Sequence, residues 1–286
     1  MNLSWQVGDV KITRIVESEA VISGDGLILG ASADAVKSID WLEPHFATPE
    51  GEIKISFHAL VVETPTRRIV VDTCVGNNKE RPDIPLWHQM QTSFLEHLIA
   101  AGFAPETIDT VLCTHLHIDH VGWNTRLVDG AWVPTFANAR YLVGKTEYDH
   151  WHESHGGPVA SEQIFMDSIK PVWDAGLMDL VANDLQICPE VQLVSTPGHT
   201  VGHVSVSIVS QGQSALITGD FVHHPCQLAH PDWGTHFDDD VGQGTKTRNA
   251  VFESLAGQET LVIGTHFSSP TAGHIVRDRD AYRFKV

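Results

Sequence analysis

Four apolar runs in this chain each end in a side chain that can bind a metal. Residues 111–114 (VLCT) lead to His115, and residues 191–198 (VQLVSTPG) lead to His199. Residues 215–219 (ALITG) lead to Asp220, and residues 260–265 (TLVIGT) lead to His266. Open sheets gather ligands beyond the carboxyl ends of their strands. Histidines scattered over a surface would not repeat this placement four times, so the ends are expected to share one site. A sheet core with helices outside it is the simplest packing that permits this.

The first of these ends is the densest. Residues 113–122 read CTHLHIDHVG, with three histidines and an aspartate inside six positions. In extended chain, residues two apart point to the same side. His115 and His117 can therefore face one ion, with Asp119 continuing the line and His120 out of phase. A turn into helix near Asp119 swings the pair Asp119 and His120 toward a second ion, and Gly122 permits a close turn. Across the strand ends the candidate ligands are His115, His117, Asp119, His120, His199, Asp220 and His266. Seven ligands exceed one tetrahedral ion and suit two, with the Asp220 carboxylate shared between them. Imidazole nitrogens and carboxylate oxygens suit zinc best, and Mn, Fe or Co are alternatives.

The rest of the chain alternates strand and helix patterns. Residues 5–16 read as one strand, and residues 55–63 and 68–72 as a hairpin turning at Thr64-Pro65-Thr66. Residues 91–101 have helical spacing, with Phe94, Leu95, Leu98 and Ile99 on one face. Residues 140–143, 191–194, 203–209, 215–218 and 260–263 are further strands, and 248–256 a helix. Residues 145–187 read as a mostly helical insertion with a boundary or kink at Pro171. Residues 20–50 form a looser arm, read as a lid, a subunit contact or a packed surface loop. Apart from these, the 286 residues are expected to form a single domain.

Composition excludes several roles. A hydrophobic content of 42% and a charged content of 19% are those of a soluble globular chain. No apolar run approaches the length of a membrane span. The amino terminus lacks a basic and apolar leader pattern, which points to the cytoplasm. Cys74, Cys113, Cys188 and Cys226 form no C-x-x-C pair, so they are expected as reduced, buried thiols. A net charge of −18 makes nucleic acid a poor partner.

The motif THLHIDH, followed in order by TPGHT, TGD and GTH, resembles the metallo-β-lactamase superfamily over residues 5–275. The resemblance implies an α/β fold, a four-layer αβ/βα sandwich of two mixed sheets flanked by helices. It implies that His115, His117 and His199 hold one metal, that Asp119, His120 and His266 hold the second, and that Asp220 bridges. The 21-residue step from His199 to Asp220 is similar to that of the lactonase and phosphotriesterase-like branch. Secreted β-lactamases of the family carry Cys where Asp220 stands, which disfavours a penicillin substrate. Asp72 would support the metal loop from behind, since ligating imidazoles commonly donate their other N–H to such partners. The family often has Gly where this chain has Cys74.

The chemistry implied is hydrolysis of an ester or lactone by a hydroxide shared between two ions. Asp119 would take the proton and deliver it to the leaving group. Lactonases of this family commonly carry a Tyr three residues after the bridging Asp, where it contacts the substrate carbonyl. This chain has His223 there, which could donate the same hydrogen bond. His224, His230, His236 and Asp238–Asp240 are read as rim or solvated residues, Trp123, Trp151 and Trp233 as core or pocket walls, and His203 as packing. The alternative is a phosphotriester hydrolase at the same metals. Behind it stand a nuclease, a mono-iron persulfide dioxygenase and a non-catalytic ligand sensor. Similar lactonases suggest a homodimer through the 20–50 arm.

Overall fold

In the computed structural model, which describes residues 2–154 and 162–286, the apolar runs become strands of two seven-stranded mixed sheets. The chain divides into two compact units, Met1–Ser18 with Phe57–Asn183 and Glu19–Ser56 with Asp184–Val286.

The first sheet uses β1 (Ser4–Val7), β2 (Val10–Ile22), β3 (Ile53–Glu63), β4 (Arg68–Val71) and β5 (Thr110–Cys113). A separate hairpin, β6 (Thr125–Val128) with β7 (Ala131–Pro134), precedes β8 (Arg140–Gly144) and β9 (Met178–Val181). The sheet order is β1-β2-β3-β4-β5-β8-β9. Strands β4, β5, β8 and β9 pair in parallel. Parallel strands are covered on both faces, which is why β5 is apolar without alternation and buried throughout.

The expected 55–72 hairpin forms, with Leu60 opposite Val71. Thr64 Oγ1 closes its turn by accepting from the Arg67 N–H at 2.9 Å. Residues 5–16 are two strands rather than one, because Gly8 takes a positive φ of 55° and turns the chain. The helix expected over 91–101 spans Phe94–Ala100, and its buried residues are Phe94 and Leu98. Ile99, placed by its spacing on the same face, is 53% exposed. With Phe94 and Leu98 four apart, the next residue lies about 100° round the helix and off the core.

The 145–187 insertion is less helical than its sequence suggests. Helices cover Lys145–Ser154, Glu162–Ile164 and Lys170–Asp174, with a π turn at Phe165–Ile169 and Pro171 near the start of the last helix. The segment then runs into β9 and β10 (Gln186–Cys188). Residues 155–161 of the insertion lie outside the described residues. Trp123 and Trp151 belong to the core of the first unit, with Val70, Val111 and Tyr141.

Lys79 is a buried cation in this unit. Its Nζ donates to Thr125 Oγ1 at 2.6 Å and to the Asp167 carbonyl at 2.8 Å, and it sits 3.6 Å above the Trp132 ring. Burial lowers its pKa to about 7, with the Asp167 carboxylate opposing and Arg81 adding to the shift. Above pH 7 the native group has lost its proton, while the unfolded one keeps it to about pH 10.4. The unfolded state then binds more protons, so this group makes stability rise with pH across that window. Urea melts at pH 7 and pH 9 are expected to show wild type gaining on Lys79→Met, at most about 1.4 kcal/mol per pH unit. A pH-independent difference would refute the shift.

The second sheet runs β10-β11-β12-β13-β14-β15-β16. Its remaining strands are β11 (Val191–Ser195), β12 (Val204–Ser210), β13 (Gln213–Ile217), β14 (Leu261–Ile263), β15 (Ala272–Asp278) and β16 (Ala281–Lys285). Only β13 and β14 pair in parallel. The sequence pattern does not mark β15 and β16, whose pairing along Ile275–Phe284 completes the sheet. The helix expected over 248–256 begins earlier and spans Val241–Leu255, capped by Asp240 Oδ1 accepting from the Gln243 N–H at 2.8 Å. Gly242, Gly244, Thr245 and Thr247 are weak helix formers and hide its first two turns in the sequence.

The 20–50 arm packs into the second unit. Ile28, Leu42 and Phe46 are buried. Phe46 lies edge-on to His224, Phe267 and Phe284. The four cysteines are free and buried. Among the described residues, no helix is long and apolar enough to cross a membrane.

Candidate metal centre

The first unit carries the 113–122 motif on the end of β5. His117 is still extended, with φ −68° and ψ 159°, and helix begins at Ile118 and runs to Val121. The extended part brings the His115 and His117 rings to 4.5 Å between centroids. The turn into helix brings the His120 ring to 4.0 Å from that of His115. Asp119 Oδ1 lies 3.7 Å from His120 Nε2. The change from extended chain to helix within the motif is the one its residue phases require.

Asp72 stands behind this cluster at the end of β4, in the left-handed region with φ 58°. Its Oδ1 accepts from the Thr114 N–H at 2.8 Å, and its Oδ2 accepts from Thr114 Oγ1 at 2.9 Å. Its Oδ2 is also 3.0 Å from His120 Nδ1. Thr114 spends its hydroxyl proton on Asp72, so its oxygen accepts from His115 Nδ1 at 3.1 Å. Both rings thus turn Nδ1 toward the Asp72 side and Nε2 away from it. The following turn is braced by Thr73, whose N–H donates to the His120 carbonyl at 2.8 Å.

Cys74 holds a φ of 51° itself, the conformation for which glycine is the usual choice. Gly122 has an ordinary helical φ of −61°. Its reason is proximity, not turn geometry, because a Cβ there would lie 1.8 Å from the Val75 carbonyl oxygen. Glu17, on β2, accepts from the Val75 N–H at 2.8 Å and from Trp123 Nε1 at 2.6 Å. Burial raises its pKa, against the pull of those hydrogen bonds.

In the second unit three imidazoles meet on one carboxylate oxygen. Asp220 Oδ2 is 3.0 Å from His223 Nε2, 3.2 Å from His266 Nε2 and 3.6 Å from His199 Nε2. His199 follows β11, Asp220 follows β13, and His266 follows β14. His203 turns Nδ1 toward the Thr196 carbonyl at 3.0 Å and accepts the Asp220 N–H on Nε2 at 2.7 Å, so it packs under the Asp220 turn. Gly219, with φ 57°, must be glycine, since a Cβ would sit 2.5 Å from that imidazole.

The tautomers in this cluster follow from the outer partners. His199 Nδ1 donates to Asp238 Oδ1 at 2.8 Å, and His266 Nδ1 donates to the Ser56 carbonyl at 3.2 Å. A ring that carries one proton then turns a lone pair at Nε2 toward the Asp220 carboxylate. Such a set repels itself unless a cation lies among the donors. Buried imidazole nitrogens with a carboxylate oxygen are also the donor types zinc takes. His199, Asp220 and His223 have one ligand atom each within 4.8 Å of one another. The residues therefore fit a divalent ion.

His223 joins the group that the strand ends form. It is buried, its ring stacks on that of His266 at 5.7 Å, and its Nδ1 is buried without a hydrogen-bond partner. Burial lowers its pKa, opposed by the Asp220 carboxylate.

Two residues of the expected rim lie inside instead. His224 is fully buried, with Nε2 donating to the Phe46 carbonyl at 2.8 Å and Nδ1 accepting from the Cys226 N–H at 3.1 Å. Burial lowers its pKa to about 4. The Asp238 side chain is 0% exposed and holds His199. Burial would raise its carboxyl, but the hydrogen bond from His199 holds it well below the usual range. In the sequence it sits in a run of three aspartates that reads as solvated, and Asp239 and Asp240 are exposed. His236 is exposed, and His230 stacks on Trp233 at 4.0 Å.

A family model for the metallo-beta-lactamase superfamily matches residues 58–266, which include all seven candidate ligands. The N-acyl homoserine lactonase of Bacillus thuringiensis is 32% identical over 120 residues, covering 42% of this chain and 40% of that protein. A probable metallo-hydrolase of Mycobacterium tuberculosis is 25% identical over 60% of this chain and 58% of its own length. The match thus spans under two thirds of either relative. A solved hydrolase, AbOPH, described as in the beta lactamase superfamily, has a TM-score of 0.81 at 26% identity, over 100% of this chain and 97% of that one. AidC, a dizinc quorum-quenching lactonase, shares the fold with a TM-score of 0.77 at 19% identity, over 99% and 96% of the two chains.

Proposed function

Because the chain belongs to the metallo-β-lactamase superfamily, we propose that it is a metal-dependent hydrolase of small-molecule esters or lactones with two divalent ions, zinc first among them. His115, His117 and His199 would hold one ion, Asp119, His120 and His266 the other, and Asp220 both. The observation that carries this is the convergence of three imidazole Nε2 atoms on Asp220 Oδ2. The lactonase named among its relatives supports a lactone as substrate.

When bound, the ions supply an activated water and polarise the attacked carbonyl. The chain's own residues then have separate tasks. Asp72 and Asp238 hold His120 and His199 from behind and fix which nitrogen points forward. Asp119 accepts a proton from the attacking water and returns it to the leaving alkoxide, as its greater exposure allows. Its side chain is 12% exposed, against 3% for Asp220. His223, whose Nε2 lies 3.0 Å from Asp220 Oδ2, would stand on the substrate side of the group.

The test is a panel of lactones, p-nitrophenyl esters and phosphotriesters offered to the zinc-loaded protein. The highest kcat/KM is expected on a lactone or ester; a phosphotriester as best substrate, or no turnover at all, would overturn the reading. His223→Ala is expected to reorder the preferences on this panel while metal content stays near two per chain. Loss of one equivalent of metal would make His223 a ligand instead. Four free buried thiols also suit a reducing compartment, and we assign the protein to the cytoplasm.

A further inference from the structure

Arg248 lies on the Val241–Leu255 helix and is fully buried. A buried guanidinium is costly unless its donors are taken up and its charge is balanced. Nε donates to the Pro231 carbonyl at 3.0 Å and Nη2 to Thr245 Oγ1 at 3.3 Å. Nη1 donates to the Phe221 carbonyl at 3.2 Å and stands 3.7 Å from Asp238 Oδ2. That last pair of contacts leads to two ligands at once. Asp238 is the acceptor for His199 Nδ1, and Phe221 is the residue after Asp220.

We propose that Arg248 is a positioning residue that sets His199 and Asp220 in register for the metal through one guanidinium. The proposal rests on the metal reading above. Asp238 needs three groups to hold it still. Thr235 donates to Oδ2 from its N–H at 3.0 Å and to Oδ1 from its hydroxyl at 2.8 Å, and Arg248 balances the charge that His199 leans on. The same guanidinium nitrogen holds the 219–221 turn by its last carbonyl. The helix that carries Arg248 also grips the turn before His199. Thr247 Oγ1 donates to the Pro197 carbonyl at 2.5 Å, and a Cβ on Gly198 would lie 2.3 Å from Gly244 N. Burial lowers the Arg248 pKa, and Asp238 opposes that shift. Lysine could not replace the fork, since one ammonium would not also reach the Pro231 carbonyl and Thr245 Oγ1 in fixed planar geometry.

The experiment measures zinc affinity by competition with a chromophoric chelator, alongside thermal melts of the metal-free chain. Arg248→Gln and Asp238→Asn are each expected to weaken zinc binding by about 10- to 100-fold. The double variant is expected to lose no more than the worse single one, because both changes break the same tie. Ile275→Ala, a core truncation on β15, is expected to lower the melting temperature without moving zinc affinity. Arg248→Gln with wild-type zinc affinity, or additive losses in the double variant, would overturn the proposal. If Arg248→Gln does not fold, Asp238→Asn decides alone, and unchanged affinity there overturns it equally. A wild-type chain that takes up no zinc would instead overturn the metal reading and this proposal together.

Discussion

Asp220→Asn is expected to abolish turnover and, in the metal-free chain, to raise stability. The two effects share one cause. Asp220 Oδ2 is the point on which the Nε2 atoms of His199, His223 and His266 converge. An asparagine fills the same space, and its amide offers N–H donors to the imidazole lone pairs. The repulsion among the apo donors is relieved, so the melting temperature without metal should rise. The neutral amide cannot anchor two cations. Bound metal should fall below two per chain, and the stabilisation that zinc gives the wild type should vanish. The loss of transition-state stabilisation is several kcal/mol, about 10³-fold or more in kcat/KM. Melts with and without zinc, beside metal analysis and steady-state kinetics, read all three. A variant that retains two ions and wild-type kcat/KM would remove Asp220 from the centre.

Asp119→Asn should separate catalysis from binding. A proton carrier between attacking water and leaving group contributes typically 10² to 10⁴ in rate. The asparagine keeps shape and an oxygen donor but cannot carry a proton. We expect kcat to fall by about that factor with KM nearly unchanged. The place of Asp119 among the carboxylates supports the role. Asp72, Asp220 and Asp238 are closed in by hydrogen bonds or imidazoles and have side chains 2%, 3% and 0% exposed. Asp119 stands on the first turn of the Ile118–Val121 helix and reaches solvent. A substrate with a better leaving group should be hurt less, since its departing oxygen needs the proton less. An unchanged kcat on a poor leaving group would refute the role.

The strand ends could be read from the sequence because each apolar run stops shortly before a His or Asp, as β5, β11, β13 and β14 do. The extended-to-helix switch at Ile118 could be read because His115 and His120 are out of phase in any single conformation. Other features left no such trace. Asp238 looks like Asp239 and Asp240, and its contacts with His199, 39 positions earlier, and with Thr235 and Arg248 make it different. His224 looks like a rim residue beside His223 until the Phe46 carbonyl, 178 positions away, accepts its Nε2–H. Burial of a polar side chain is decided by partners distant in sequence, which periodicity does not record. The short strands β9 and β10 were absorbed into a helical pattern for a related reason. At four and three residues they are too brief for a period to be counted.

The contact between Gly122 and the Val75 carbonyl has a last consequence. The backbone of the metal motif and the backbone of the loop after Asp72 touch with no side chain between them. A single methyl group at position 122 would act as a wedge. It would pry the loop that begins at Asp72 away from the histidines it steadies, although it touches none of them.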